Sequence, residues 1–139
     1  RTRISRNGDC ELNLLLDTCT FLWLAAEPKR LSRRAREAID RSATRLYLSD
    51  VSVFEVCAKW RSGKLELPTT PRRWFGEQTR LWQTERLSLD IEHYYRESEL
   101  PALHRDPFDR LLVAQAIERD LSIVTPDSAI HAYPVAVVW

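Results

Sequence analysis

Five acidic residues hold most of the chemical potential of this chain: Asp17, Glu55, Asp106, Asp109 and Asp127. Each has a plain explanation when taken alone. Ser52-Val53-Phe54-Glu55 has the form of a capping box in which Glu55 folds back on the start of a helix. Asp106-Pro107-Phe108-Asp109 reads as an N-cap, a proline at the first helical position and an acid near the third, and Thr125-Pro126-Asp127 looks similar. Asp17 is harder to dismiss, because it closes the apolar run Asn13-Leu14-Leu15-Leu16, where a carboxylate needs a partner or water to offset its desolvation. If the acids gather, they repel one another, and either their pKa values rise or a cation neutralises them. A hard divalent ion such as Mg²⁺ or Mn²⁺ takes carboxylate oxygens and waters, whereas a Zn²⁺ site would usually show His or Cys ligands. An ion held in that way can hydrolyse a phosphodiester, because it activates a water and stabilises charge on the attacked phosphate.

The elements that carry these acids decide whether they meet. Residues 13–16 form a short continuous apolar run, as expected of a strand buried on both faces. Thr18 or Thr20 can cap a helix through Phe21 and Leu24 that Pro28 stops, and Ser32 can cap a second through Ile39. Arg45-Leu46-Tyr47-Leu48 reads as the second strand, followed by helical spacing from Val53 to Trp60 that ends at Gly63. Pro68 and Pro71 punctuate a loop, and Trp74, Phe75, Leu81 and Trp82 suggest an amphipathic helix. A weak strand is expected at 87–89, then helices at 91–100 and 107–119, a strand at 121–124, a helical turn at 128–131 and a closing strand at 135–138. Strands alternating with helices imply an α/β sandwich, a central parallel sheet of four to five strands with helices on both faces. In such a sheet, sites lie beyond the carboxyl ends of the strands, where the following helices also point their N-termini. All five acids are expected at that edge.

Composition narrows the alternatives. The 139 residues are 44% apolar and 29% charged, the balance of an ordinary globular chain, and no run approaches the roughly 20 apolar residues that span a membrane. Arg1 to Glu11 is polar and lacks the apolar core of a secretory signal, so a cytoplasmic protein with a flexible extension at 1–11 is expected. Cys10, Cys19 and Cys57 are odd in number and lack a Cys-x-x-Cys pair, which suggests neither a disulfide framework nor a zinc site. Glycine occurs at only three positions, leaving little room for a phosphate-binding or dinucleotide loop. His93, His104 and His131 lack metal-ligand spacing and are expected on the surface or in loops. A net charge of +1 does not announce a nucleic-acid binder. The basic run of Lys29, Arg30, Arg33, Arg34 and Arg36 is either a solvated helix face or part of a binding surface.

Four segments resemble the PIN-domain family, in particular its VapC-like toxins: Leu14-Leu15-Leu16-Asp17-Thr18; Ser52-Val53-Phe54-Glu55-Val56; His104-Arg105-Asp106-Pro107-Phe108-Asp109-Arg110; and Val124-Thr125-Pro126-Asp127. Order and spacing both match, over about 12–139, and the His-Arg-Asp-Pro-Phe-Asp-Arg segment is the most specific part. The resemblance implies a single PIN domain over 12–139 with a PIN-like three-layer sandwich. It further implies a Mg²⁺- or Mn²⁺-dependent endoribonuclease that cuts transfer or ribosomal RNA and is neutralised by a cognate antitoxin protein. By motif position Asp17, Glu55, Asp109 and Asp127 match the family's four acids, with Asp17, Asp109 and Asp127 as metal ligands and Asp106, Thr18 and Thr125 as auxiliaries. Cys19 stands where close relatives often carry histidine. Homodimers are typical of the family, as is an apolar groove for the antitoxin, a role that the five tryptophans suit if they are not core residues. The competing expectation is a PIN-like binding module without catalysis, whose acids cap helices and dock a basic partner protein or RNA.

Overall fold

The computed structural model describes residues 12–139, so the expectation of a flexible extension at 1–11 lies outside the described residues. Strands β1 (Leu12–Leu16), β2 (Thr44–Ser49), β3 (Glu85–Leu87), β4 (Ser122–Val124) and β5 (Val137–Val138) form one sheet in the order β3-β2-β1-β4-β5. Every neighbouring pair is parallel. Helices occupy the connections: α1 (Thr18–Ala26), α2 (Arg33–Asp40), α3 (Asp50–Arg61), α4 (Pro71–Trp82), α5 (Ile91–Glu99), α6 (Pro107–Arg119) and α7 (Ser128–His131).

Strand alternation sends side chains to two separate cores. Leu14, Leu16, Leu46 and Leu48 pack with Phe21 and Leu24 of α1, Ile39 of α2, and Trp74 and Phe75 of α4. Leu15 and Ile123 face the other way, onto Leu112, Val113 and Ala116 of α6 and Ile130 of α7. Because β1 is covered on both faces it must be apolar at successive positions, and Leu14, Leu15 and Leu16 are all fully buried. The expected three-layer α/β sandwich is therefore the architecture found. Trp74 is core, Trp23 and Trp82 pack partly against it, and Trp60 is 41% exposed.

Several boundaries differ from expectation for local reasons. Ser49 caps α3 through the Val51 N–H, so Ser52 and Glu55 lie inside the helix and the capping box expected of them does not form. Asp17 caps α1 in place of Thr18 or Thr20. Pro71, expected in a loop, is the first residue of α4 behind a Thr70 cap, where a proline loses no hydrogen bond. The weak third strand lies at Glu85–Leu87, two residues earlier than expected, where it can pair with Tyr47, Leu48 and Ser49 of β2. Gly63, just past the C-cap of α3, takes φ 77°, the left-handed conformation its helix-stop role requires. Among the described residues no helix is long and apolar enough to cross a membrane.

Candidate metal centre at the carboxyl edge of the sheet

The chain runs outward from β1 to β2 and β3, then returns across the sheet to place β4 on the other side of β1. The carboxyl ends of β1 and β4 thus flank the point where strand order reverses, the usual crevice for a ligand in an open α/β sheet. Asp17 directly follows β1, and Thr125 and Asp127 follow β4. Three of the five acids are helix caps. Asp17 accepts from the Thr20 N–H at 2.8 Å, Asp106 from the Phe108 N–H at 2.9 Å and Asp127 from the Ala129 N–H at 2.9 Å. Capping and site-building are therefore not alternatives, because a cap anchors each carboxylate where positive helix ends converge. Asp109 lies in the first turn of α6 and Glu55 in the second turn of α3.

Asp17 is the deepest of the acids, 4% exposed, and burial pushes its carboxyl above the ordinary value while hydrogen bonds from Thr125 and Thr20 pull the other way. Its neighbour Cys19 points its thiol at both Asp17 oxygens, at 3.7 and 3.9 Å. Burial, and then the charge of Asp17, push that thiol up to about 12, in keeping with a protonated donor to the carboxylate. Thr18 donates to the Ser52 hydroxyl at 2.9 Å, tying the start of α1 to α3. Glu55, 7% exposed, accepts from Lys59 at 2.7 Å, and this hydrogen bond raises the Lys59 ammonium. Asp109 is pushed up to about 7, first by burial and then by the charge of Asp106, with Asp17 and Glu55 adding and His104 opposing. That list of neighbours is itself the sign that acids from separate segments have been brought together. Burial would raise Asp127 too, but hydrogen bonds from His104 and the backbone of Ala129 and Ile130 outweigh it and hold the carboxyl below its ordinary value.

His131 is exposed as expected, but His93 is not. His93 is only 2% exposed and completes a capping box, its Nδ1 accepting from the Asp90 N–H at 3.1 Å. His104 lies in a loop as expected but reaches the site, with Nε2 2.8 Å from Asp127 Oδ2 and 3.2 Å from Asp109 Oδ2. Ligand atoms of His104, Asp109 and Asp127 lie within 4.8 Å of one another, a group that could hold a cation. The donors at this edge are mainly hard carboxylate oxygens with a protonated thiol beside them, a set suited to Mg²⁺ or Mn²⁺. Lys59 and His104 were missed by motif order because their roles depend on partners that the fold supplies.

The basic stretch behaves as a solvated face. Arg33 pairs with Glu37, and Arg36 with Asp40, one helical turn apart, while Arg30 stacks over Trp23. Away from the acids, an apolar groove of about 580 Å³ opens between α3 and α4, lined by Leu48, Val53, Phe54, Cys57 and Phe75. Phe54 on its rim is 62% exposed.

Comparison with known proteins bears on the family and the fold. The PIN domain profile matches residues 14–135. The chain is 31% identical over 131 residues to Ribonuclease VapC22 of Mycobacterium tuberculosis, covering 91% of this chain and 98% of that protein. Its fold is similar to one in the crystal structure of VapBC2 from Rickettsia felis bound to a DNA fragment from their promoter. There the TM-score is 0.66 at 13% identity, covering 91% of this chain and 97% of the other. A second similar structure is FitAcB from Neisseria gonorrhoeae, with a TM-score of 0.53 at 21% identity over 89% of this chain and 95% of the other. With a matching profile across most of its length and a relative of nearly equal extent, the chain belongs to the PIN-domain family.

Proposed function

We propose that this protein is a Mg²⁺- or Mn²⁺-dependent endoribonuclease, acting as the toxin of a VapBC-type pair, with residues 12–139 as one PIN domain. The observation that carries this reading is the convergence of Asp17, Glu55, Asp109 and Asp127, on four different segments, upon the crevice between β1 and β4. The similarity to Ribonuclease VapC22 supports RNA as the substrate class.

In this reading Asp17, Asp109 and Asp127 hold the cation, Glu55 completes the cage or orients water, and Asp106, Thr18 and Thr125 support them. When bound, the ion supplies a water of lowered pKa and positive charge for the attacked phosphate. The chain's own groups do the rest. Thr20 and Thr125 fix the Asp17 carboxylate, and Lys59 steadies Glu55 at the mouth of the crevice. The N-termini of α1 and α6 face the same place and favour the anionic backbone of RNA. Unpaired loops of folded RNA suit a recessed site, because a single strand can enter where a duplex cannot; transfer and ribosomal RNA are the natural candidates. A cognate antitoxin is the proposed partner, supported by similarity to the structures of VapBC2 and FitAcB, and the apolar groove beside α3 is a surface it could cover. A homodimer and a cytoplasmic location complete the proposal.

The test is incubation of purified protein with total cellular RNA and Mg²⁺ or Mn²⁺, alongside an EDTA control and Asp17→Asn. We expect discrete fragments with wild-type protein, none with EDTA, and at least about 100-fold slower cleavage by the variant, beyond what loss of an outer-shell partner costs. Intact RNA from folded, antitoxin-free protein with either ion would instead favour a non-catalytic binding module.

A further inference from the structure

Asp17, Glu55, Asp109 and Asp127 together outweigh the charge of a single divalent ion, so an RNA phosphate that enters the crevice needs cations from the chain itself. The arginine beside Asp109 in sequence is already committed. Arg110 gives its five N–H donors to the segment between α5 and α6 and to Tyr133: Nε to the Glu97 carboxylate, Nη1 to the Pro101 carbonyl and the Tyr133 hydroxyl, Nη2 to the Glu97 and Leu100 carbonyls. Lys59 is in the opposite situation. Its ammonium donates to Glu55 at 2.7 Å, and no described residue takes its two further donors. The pair also differs from the ion pairs one turn apart on other helices. In Arg33–Glu37, Arg36–Asp40 and Arg73–Glu77 both partners are exposed, whereas Glu55 is buried and Lys59 half-exposed. The charges of Asp106 and Asp109, from the start of α6, act on Lys59 as well. A cation tied to a buried acid on one side and open to solvent on the other stands on the boundary of the crevice.

We infer that Lys59 is a substrate-binding residue, donating from its free N–H groups to an RNA phosphate at the mouth of the crevice while it keeps its bond to Glu55. The inference rests on the ribonuclease reading and adds to it the group that receives the strand. An ammonium suits this place because it is a compact charge with rotatable donors, able to hold a carboxylate and a phosphate at once. The competing role is a lysine that only steadies Glu55. The two roles part in what they predict. A lysine that receives RNA sets the salt dependence of the reaction, because each phosphate it neutralises releases a counterion. A lysine that only steadies Glu55 leaves that dependence alone and shows itself in metal affinity.

Three variants of the full chain test this. Lys59→Met removes the charge but keeps the length and helix propensity of the side chain, and Lys59→Arg keeps the charge. Arg119→Gln, an exposed cation at the far end of α6 from Asp109, is the control. Initial rates of fragment formation from trace total cellular RNA, which report kcat/KM, are taken in Mg²⁺ across a series of NaCl concentrations. We expect Lys59→Met to lower kcat/KM roughly 10- to 100-fold, the range for a charged hydrogen bond. Its slope of log rate against log salt should be shallower by about 0.7, the share of one contact to a single strand. Lys59→Arg should keep the wild-type slope, and Arg119→Gln should match wild type in both rate and slope. Mn²⁺ affinity, read by electron paramagnetic resonance, should be unchanged or tighter in Lys59→Met, since a competing cation has left Glu55. A misfolded fraction would scale every rate equally and leave the slope intact, so the slope decides even in a less stable variant. A wild-type slope in Lys59→Met, or Mn²⁺ binding at least about 10-fold weaker there, overturns the inference and leaves Lys59 as a support for Glu55. Total RNA left intact by wild-type protein overturns the ribonuclease reading, and the inference with it.

Discussion

A carboxyl group that holds its proton to about pH 7 makes folding depend on pH in a direction opposite to most acids, and Asp109 is such a group. Its folded-state value lies above the ordinary 3.8, so the folded chain binds this proton more tightly than the unfolded chain does. The stability tied to it is fully present below about pH 4 and is lost as pH rises through about 7. Asp17, also raised by burial, adds in the same direction, whereas Asp127 is lowered and its contribution is lost only as pH falls through the carboxylate range. After screening by partial exposure, the Asp109 effect is on the order of 2 kcal/mol. Thermal melts in EDTA should therefore show wild type losing stability between pH 5 and pH 8 while Asp109→Asn stays flatter and melts higher at pH 8; equal pH slopes would remove the crowding argument. The acids were legible in the sequence because a carboxylate after an apolar run, or before Pro at a helix start, has few other places to go. His104 was not legible, because the aim of its ring depends on Tyr133, 29 residues further on.

At the scale of elements, helix boundaries followed from caps and prolines, and the departures came from competition between adjacent capping residues. Ser49 and Ser52 both precede helical spacing and both are buried; Ser49 takes the cap and also donates to the oxygen of Gln115, a fully buried amide on α6, while Ser52 accepts from Thr18. The third strand was misplaced by two residues because its register is set by β2 and not by its own weak pattern. The loop from α5 to α6 shows the same dependence on distant partners, since the Tyr133 hydroxyl and the Arg110 guanidinium hold it together. Tyr133→Phe keeps the buried ring but removes the acceptor for the Leu103 and His104 amides and the donor to Pro101. We expect a loss of about 1–3 kcal/mol in urea unfolding, the cost of stranded polar groups. Faster hydrogen exchange at those two amides should accompany it, and unchanged exchange would mean that the hydroxyl does not shape the loop.

The molecule as a whole concentrates negative charge at one sheet edge while its net charge is only +1. The class of sheet was legible from alternating strands and helices, but the order β3-β2-β1-β4-β5 was not, because no local pattern says on which side of β1 the fourth strand returns. That return is what brings Asp109 and Asp127 to Asp17, so the acids are close only in the folded chain. A cation that needs them together then binds the folded state and not the unfolded one, and it must stabilise the fold by mass action. At a concentration 100 times its dissociation constant the gain is about 2.7 kcal/mol, which for a chain of this length raises Tm by roughly 6–15 °C. The gain should be larger at pH 8 than at pH 5.5, because at the lower pH the cation must first displace the proton that Asp109 holds to about 7. Differential scanning calorimetry with Mg²⁺ or Mn²⁺ measures both effects, with NaCl of matched ionic strength as the control for screening. A Tm that rises no more with the divalent ions than with NaCl, at either pH, would show that the assembled carboxylates do not form a cation site.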